Sequence, residues 1–229
     1  MFYWRGEHEG VQLGFTSAEA GNLAAHVGSA DAARRNRVAL ERVTGSLRFL
    51  NQTHSADVHD ALEPTDSPPS GDAWVCEDGS VSLAVAVADC LPVLLVGGGP
   101  RGPVTAAAHA GRSGLMAGVL ENTVRAMRQR RAQSIRAWIG PGACGSCYEV
   151  PQEMVNDLAS HRPGLASLTR WGTPALDLRA HAAALLEEQS VDVHDVGGCT
   201  IEEARLFSHR AAQSRGAPEG RLAGVVWKP

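Results

Sequence analysis

The hydrophobic pattern of this chain changes period several times, and each change marks an element. Val11-Gln12-Leu13-Gly14-Phe15 alternates apolar and polar positions, the period of a half-buried strand. From Asp31 to Val43 the apolar positions Val38, Leu40 and Val43 fit a helix with arginines on its outer side. Leu83 to Val87, Val93 to Val96 and Val104 to Ala108 are near-continuous apolar runs of strand length, the pattern of strands covered on both faces. Leu115, Met116, Val119, Leu120, Val124 and Met127 then recur at helical spacing, which predicts one long amphipathic helix reaching Arg131.

Further along, Arg136 to Gly140 reads as a strand ending in a Gly140-Pro141-Gly142 turn. Pro151 suits the first position of a helix carrying Met154, Val155 and Leu158. Asp177 is an expected N-cap for a helix through Leu185 and Leu186, and Val193 to Val196 and Ala223 to Trp227 read as strands. Pro64 to Gly71 concentrates Pro, Asp, Ser and Gly and is a loop. Strands and helices mix without strict alternation and no linker interrupts them. The expected fold is therefore one α/β (α+β) domain over residues 1–229 with mixed sheets.

Composition narrows the classes. With 229 residues and 44% hydrophobic content the chain can fill a sizeable core. The net charge is −4, the pI is near 6.1, and no basic patch is interleaved with aromatics, so no nucleic-acid partner is expected. The apolar runs are far too short to span a bilayer and the N-terminus lacks a leader pattern, so a cytoplasmic protein is expected, with no membrane and no obligate protein partner. Five cysteines, an odd number without a regular framework, point to reduced thiols or metal ligands.

Candidate chemistry sits at the ends of the buried runs. His54, Cys90 and His109 together offer two imidazoles and one thiolate, a set that leaves a fourth tetrahedral position on Zn²⁺ open, as in catalytic sites. Cys90 and His109 are expected to terminate two neighbouring strands of one sheet, with His54 folding over them. The turn from Gly111 to Gly114 opens a helix, so Gly111 and Arg112 are expected to cradle an anion. Asp89, beside Cys90, is a candidate general acid or base, or a partner for a ligating histidine. Cys144-Gly145-Ser146-Cys147 has no second Cys-x-x-Cys and does not open a helix, so it reads as structural, and Cys199 reads as a packing residue.

The ordered motifs Asn22-Leu23 with His26-Val27-Gly28, Asn36-Arg37, Gln52-Thr53-His54, Gly71-Asp72-Ala73, Ala88-Asp89-Cys90-Leu91-Pro92, His109-Ala110-Gly111, Ile139-Gly140-Pro141 with Cys147-Tyr148-Glu149-Val150, Cys199-Thr200, Phe207-Ser208-His209-Arg210 and Gly220-Arg221-Leu222 resemble the YfiH family over nearly the whole chain. That family is also called the laccase-domain, polyphenol oxidase or purine nucleoside phosphorylase family. The resemblance implies a single domain of layered α/β/β/α type and zinc held by His54, Cys90 and His109. It implies phosphorolysis of adenosine, inosine and 5′-methylthioadenosine, with adenosine deamination as a further activity. Nucleoside and phosphate would then meet Asn22, His26, Arg37, Gln52, Gly111, Arg112, Ser208, Arg210 and Arg221, with Cys90, His109 and Asp89 at the chemistry. The chain departs from the family at Arg112-Ser113, where Trp-Arg is usual, and at His209, where tyrosine is usual.

Two rival enzymes remain. A metal-free thiol hydrolase, for example an amidase editing peptidoglycan precursors, would use Cys90 as nucleophile and His109 as its base. A copper-dependent polyphenol oxidase needs many clustered histidines, and nine histidines with no His-x-His pair make copper the less favoured metal. The non-enzymatic alternative is a zinc-stabilised interaction module.

Overall fold

The computed structural model describes residues 1–162 and 164–229, and it builds two packed sheets from the runs above. The first sheet has five strands in the order β1 (Phe2–His8), β2 (Val11–Thr16), β13 (Leu222–Trp227), β6 (Ser82–Val87) and β3 (Leu47–Arg48). The second has six, in the order β12 (Asp192–Asp195), β9 (Gln133–Ile139), β7 (Leu91–Gly99), β8 (Gly102–Ala110), β5 (Ala73–Cys76) and β4 (Val58–Asp60). Each is mixed: β3 runs parallel to β6, and β4 parallel to β5, amid antiparallel neighbours. A separate hairpin joins β10 (Ala166–Leu168) to β11 (Pro174–Leu176).

Strand alternation sorts the side chains into three layers of core, with a small fourth cluster of Val87, Leu206 and Leu222 against Cys90. On β7, Leu94 and Val96, with Trp138 beside them on β9, face the other sheet, where Phe15 and Leu83 meet them, while Val93 and Leu95 face outward. Outside the six-stranded sheet lie α3 (Val119–Gln129), α4 (Gln152–His161) and α5 (Leu178–Glu188), which supply Val124, Val155 and Leu185 to that outer core. Outside the five-stranded sheet lies α1 (Ala30–Thr44), whose Leu40 meets Ala84, Val225 and Trp227. The order of layers is α/β/β/α. Apolar runs on both faces of a strand are what two covered sheets require. Among the described residues no helix is long and apolar enough to cross a membrane.

Several elements depart from the periodicity. The helix expected from Leu115 to Arg131 starts earlier, at α2 (Arg112–Ala117), and breaks at Gly118, whose φ of 94° lies in the left-handed region. In α1, Val38 and Val43 are exposed at 53% and 44%, because the inward stripe is Ala33, Asn36, Arg37, Leu40 and Thr44. Asn36 donates to the Asn22 carbonyl and Arg37 to that of Leu23, so polar residues occupy turns that periodicity would assign to apolar ones. Pro151 caps α4 from outside its first turn, and Asp177 caps α5 by accepting from the Ala180 N–H at 2.9 Å. The last helix is α6 (His209–Arg215).

Candidate functional site

Cys90 does not end a strand of the sheet that carries His109. It lies in the three-residue turn where the chain leaves β6 of one sheet and enters β7 of the other. His109 is the penultimate residue of β8, with the same parity as Ala107, and so faces the space between the sheets. His54 comes from the loop before β4. The three donor atoms lie within 4.8 Å of one another, with Cys90 Sγ 3.7 Å from His54 Nε2 and the two imidazoles edge to face at 4.8 Å. A tetrahedral zinc bound by one sulfur and one nitrogen holds those atoms about 3.6 Å apart, so this donor set fits the ion. The backbone is strained to achieve it: His54 has φ 59° and Asp89 φ 84°, values that asparagine, aspartate and histidine tolerate better than most residues.

Asp72 organises the trio. Its carboxylate is completely buried and accepts from His109 Nδ1 at 2.7 Å. The same group accepts from the backbone N–H of Thr53, His54 and Ser55 and from the Ser55 hydroxyl. Its carbonyl receives the His109 N–H at 2.7 Å. One side chain therefore fixes both histidine segments, and by taking Nδ1 it leaves His109 Nε2 to act as ligand or base. The motif Gly71-Asp72-Ala73 is recognisable in the chain, yet the residues alone assign Asp72 no role. The readable signal was a carboxylate immediately before a fully buried strand, where it must find partners.

The electrostatics follow from these contacts. Burial opposes ionisation of Asp72, yet hydrogen bonds from His109 and Ser55 hold it well below the usual carboxylate range. Burial likewise opposes charge on Cys90, but hydrogen bonds from His109 and His54 outweigh it and bring the thiol down to about 6. His109 rises to about 9 against the pull of burial, because Asp72 and Cys90 both favour its protonated form. In the metal-free protein these contacts favour a thiolate beside an imidazolium.

The trio opens into a pocket of about 390 Å³. His26, Arg37, Gln52 and Arg221 line it with the trio, together with Phe49, Leu50, Asn51, Val87 and His209. The Arg37 guanidinium lies 3.9 Å over the Phe49 ring and donates to the Leu23 carbonyl, which leaves other N–H groups free. Gln52 spends its amide on the Ala86 backbone, in both directions, tying its loop to β6. Asn22 holds Ala24, Val27 and Arg221 backbone groups and so shapes the rim from behind.

The remaining expected residues lie outside the pocket lining. Asp89 accepts from the Thr200 hydroxyl at 2.6 Å and the Arg210 N–H at 2.7 Å, so both its oxygens serve the fold, and Asp72 takes the histidine partnership expected of it. Ser208 caps α6, and Arg210 donates to the Glu149 carbonyl. The anion cradle expected at Gly111 to Gly114 is filled by protein. A Cβ on Gly111 would meet His54 Cδ2 at 2.6 Å and Cys90 Sγ at 3.0 Å, and one on Gly114 would meet the Ser55 carbonyl at 2.7 Å. Those glycines admit the His54 loop, while Arg112 donates to Met154 Sδ at 2.9 Å.

This architecture recurs in solved structures. A Neisseria meningitidis protein of family DUF152 superposes over 100% of this chain and 99% of its own, with a TM-score of 0.85 and 32% identity. The Bacillus licheniformis protein YfiH superposes with a TM-score of 0.80 and 25% identity over 96% of this chain and 93% of its own. A family described as multi-copper polyphenol oxidoreductase laccase matches residues 6–229. The chain belongs to the YfiH laccase-domain family. Among relatives, a Streptomyces coelicolor protein named purine nucleoside phosphorylase is 47% identical over 186 residues, covering 78% of this chain and 74% of its own. A Mycobacterium bovis protein of the same name is 37% identical over 219 residues, covering 90% and 84%. Of this chain's two departures from the usual YfiH motifs, His209 lines the pocket and Arg112 does not.

Proposed function

We propose that the protein is a zinc-dependent purine nucleoside phosphorylase acting on adenosine, inosine and 5′-methylthioadenosine. The observation that carries this reading is the joining, in one pocket, of an open three-donor set with two arginines and an apolar wall. The name shared by the relatives supports it. His54, Cys90 and His109 hold the ion, which when bound supplies Lewis acidity to the reacting centre. Arg37 and Arg221 bind and orient phosphate through charge-assisted hydrogen bonds. Phe49, Leu50 and Val87 exclude water around the purine. A phosphate oxygen forms the bond to C1′ as the bond from C1′ to the purine nitrogen breaks, and the departing base takes that electron pair and the proton that the attacking dihydrogen phosphate gives up. His26 and His209 are exposed at the rim. Adenosine deamination is a second use of the same pocket.

The test is to incubate the zinc-loaded protein with each nucleoside, with and without phosphate, and separate the products. Free base and ribose 1-phosphate, or 5-methylthioribose 1-phosphate from 5′-methylthioadenosine, should form only with phosphate. Base release that ignores phosphate, or none with any of the three, overturns the reading.

A second reading has its own support. Asp72, His109 and Cys90 form a connected acid, imidazole and thiol, the arrangement of a thiol hydrolase. It predicts amide or ester hydrolysis that zinc suppresses. Copper oxidase chemistry is less favoured, because the other donor cluster among the described residues is three cysteines and a glutamate, with no imidazole.

A further inference from the structure

The Cys-x-x-Cys turn gains a third sulfur in the fold. Cys144 and Cys147 lie on the loop after β9, where the N–H groups of Cys147 and Tyr148 both donate to the Cys144 carbonyl at 2.9 Å. Cys199 arrives from the loop after β12, where it forms a parallel bridge with Gly142, and the Thr200 N–H donates to the Gly142 carbonyl at 3.1 Å. Glu202 lies on the same turn. The three sulfurs and a carboxylate oxygen of Glu202 lie within 4.8 Å of one another, and the cysteines are free. A tetrahedral site with Zn–S near 2.3 Å needs sulfurs about 3.8 Å apart, so side-chain rotations bring this cluster to coordination distance. Cys147 and Cys199 are buried, at 5% and 8% exposure, and Glu202 is exposed, so the cluster is closed toward the protein and open to solvent on one side.

We propose that Cys144, Cys147, Cys199 and Glu202 form a second metal site, structural in kind, that takes Zn²⁺. Three thiolates select a soft or borderline cation over magnesium or calcium. Four protein donors complete a tetrahedron and leave no open position, unlike the trio. Three thiolates and a carboxylate carry more negative charge than a dication neutralises, and Arg170 offsets part of the excess. Its guanidinium donates to Cys147 Sγ at 3.1 Å and pairs with Glu202, the outer contacts that steady metal ligands.

The site has a job in the fold. The Ala143 N–H donates to the Asp89 carbonyl at 2.9 Å, and the Thr200 hydroxyl to the Asp89 carboxylate at 2.6 Å. Both loops of the cluster thus grip the residue before Cys90, and a metal between them pins that turn from outside the pocket. The site shares no residue with the trio and stands whatever reaction the trio performs.

The test is metal content of the full chain purified without chelator from zinc-supplemented cells. Wild type should hold about two zinc ions, and His54→Ala/His109→Ala and Cys144→Ser/Cys199→Ser about one each. Cobalt loaded into His54→Ala/His109→Ala should give intense thiolate-to-cobalt charge-transfer bands. A wild type with a single zinc, a folded His54→Ala/His109→Ala variant with none, or a chain lighter by two hydrogens with a disulfide among these cysteines overturns the proposal. Should either double variant fail to fold, the wild-type stoichiometry decides alone.

Discussion

Cys90 is the residue on which the local electrostatics converge. Its depressed thiol is paired with a raised His109, so in metal-stripped protein the thiolate persists down to about pH 6 and is lost as pH falls below it. Alkylation of Cys90 by iodoacetamide, followed by peptide mass spectrometry, should therefore reach half its maximal rate near pH 6, against about 8.5 for an ordinary thiol. Replacing His109 with glutamine should move that midpoint upward, and bound zinc should suppress the reaction. A wild-type midpoint near 8.5 would refute the thiolate and imidazolium pair. At this scale Cys90 and His109 were legible because each lies at the end of a recognisable apolar run, whereas His54 stood out only through the motif Gln52-Thr53-His54. Asp72 was not legible, because its importance lies in hydrogen bonds to three residues nearly twenty positions upstream and one far downstream. Nor could the chain reveal that Gly111 and Gly114 serve close approach by the His54 loop, since a glycine at a helix start reads the same whether protein or ligand fills the space.

The elements were read well where one face or both met a core, as in β6, β7, β8, β9 and β13, and poorly where polar groups replaced apolar ones. The short strands β3 and β4 leave no periodic trace, since two or three residues cannot display a period. The break between α2 and α3 was hidden because Leu115 to Met127 keeps a continuous apolar stripe across Gly118. The stripe reports the shared core, and the left-handed glycine reports the change of axis. Gly118→Ala isolates this second effect. The added Cβ meets only Glu121 carboxylate atoms at ordinary contact distance, 3.7 Å, so the cost is backbone strain, about 1–2 kcal/mol. Urea unfolding should show a lower midpoint with an unchanged slope. A neutral substitution would mean that the α2–α3 corner relaxes freely.

On the scale of the molecule, the pocket draws on every layer except the helices over the six-stranded sheet. Arg37 comes from α1, Arg221 from the approach to β13, and the donors from a turn between sheets, a strand and a loop. Such a convergence of distant segments cannot be read from local pattern. It appears only as a list of separate motifs, which is why the resemblance to a family carried more of the site than spacing did. If the pocket holds phosphate, Arg37→Ala should raise KM for phosphate about tenfold or more while zinc content and circular dichroism stay at wild-type values. An unchanged KM would transfer that role to Arg221 and the rim histidines.

The turn that carries Cys90 has only three residues between strands of different sheets. It is a crossing with no slack. Cys90 adjoins Leu91, the first residue of β7, so sliding of the five-stranded sheet loads the turn at its β6 end while Cys90 stays on the side of the histidines that Asp72 anchors. The donor set thus belongs to the six-stranded side, and shear of the sandwich would shift the β6 wall of the pocket, Ala86 and Val87, relative to the trio.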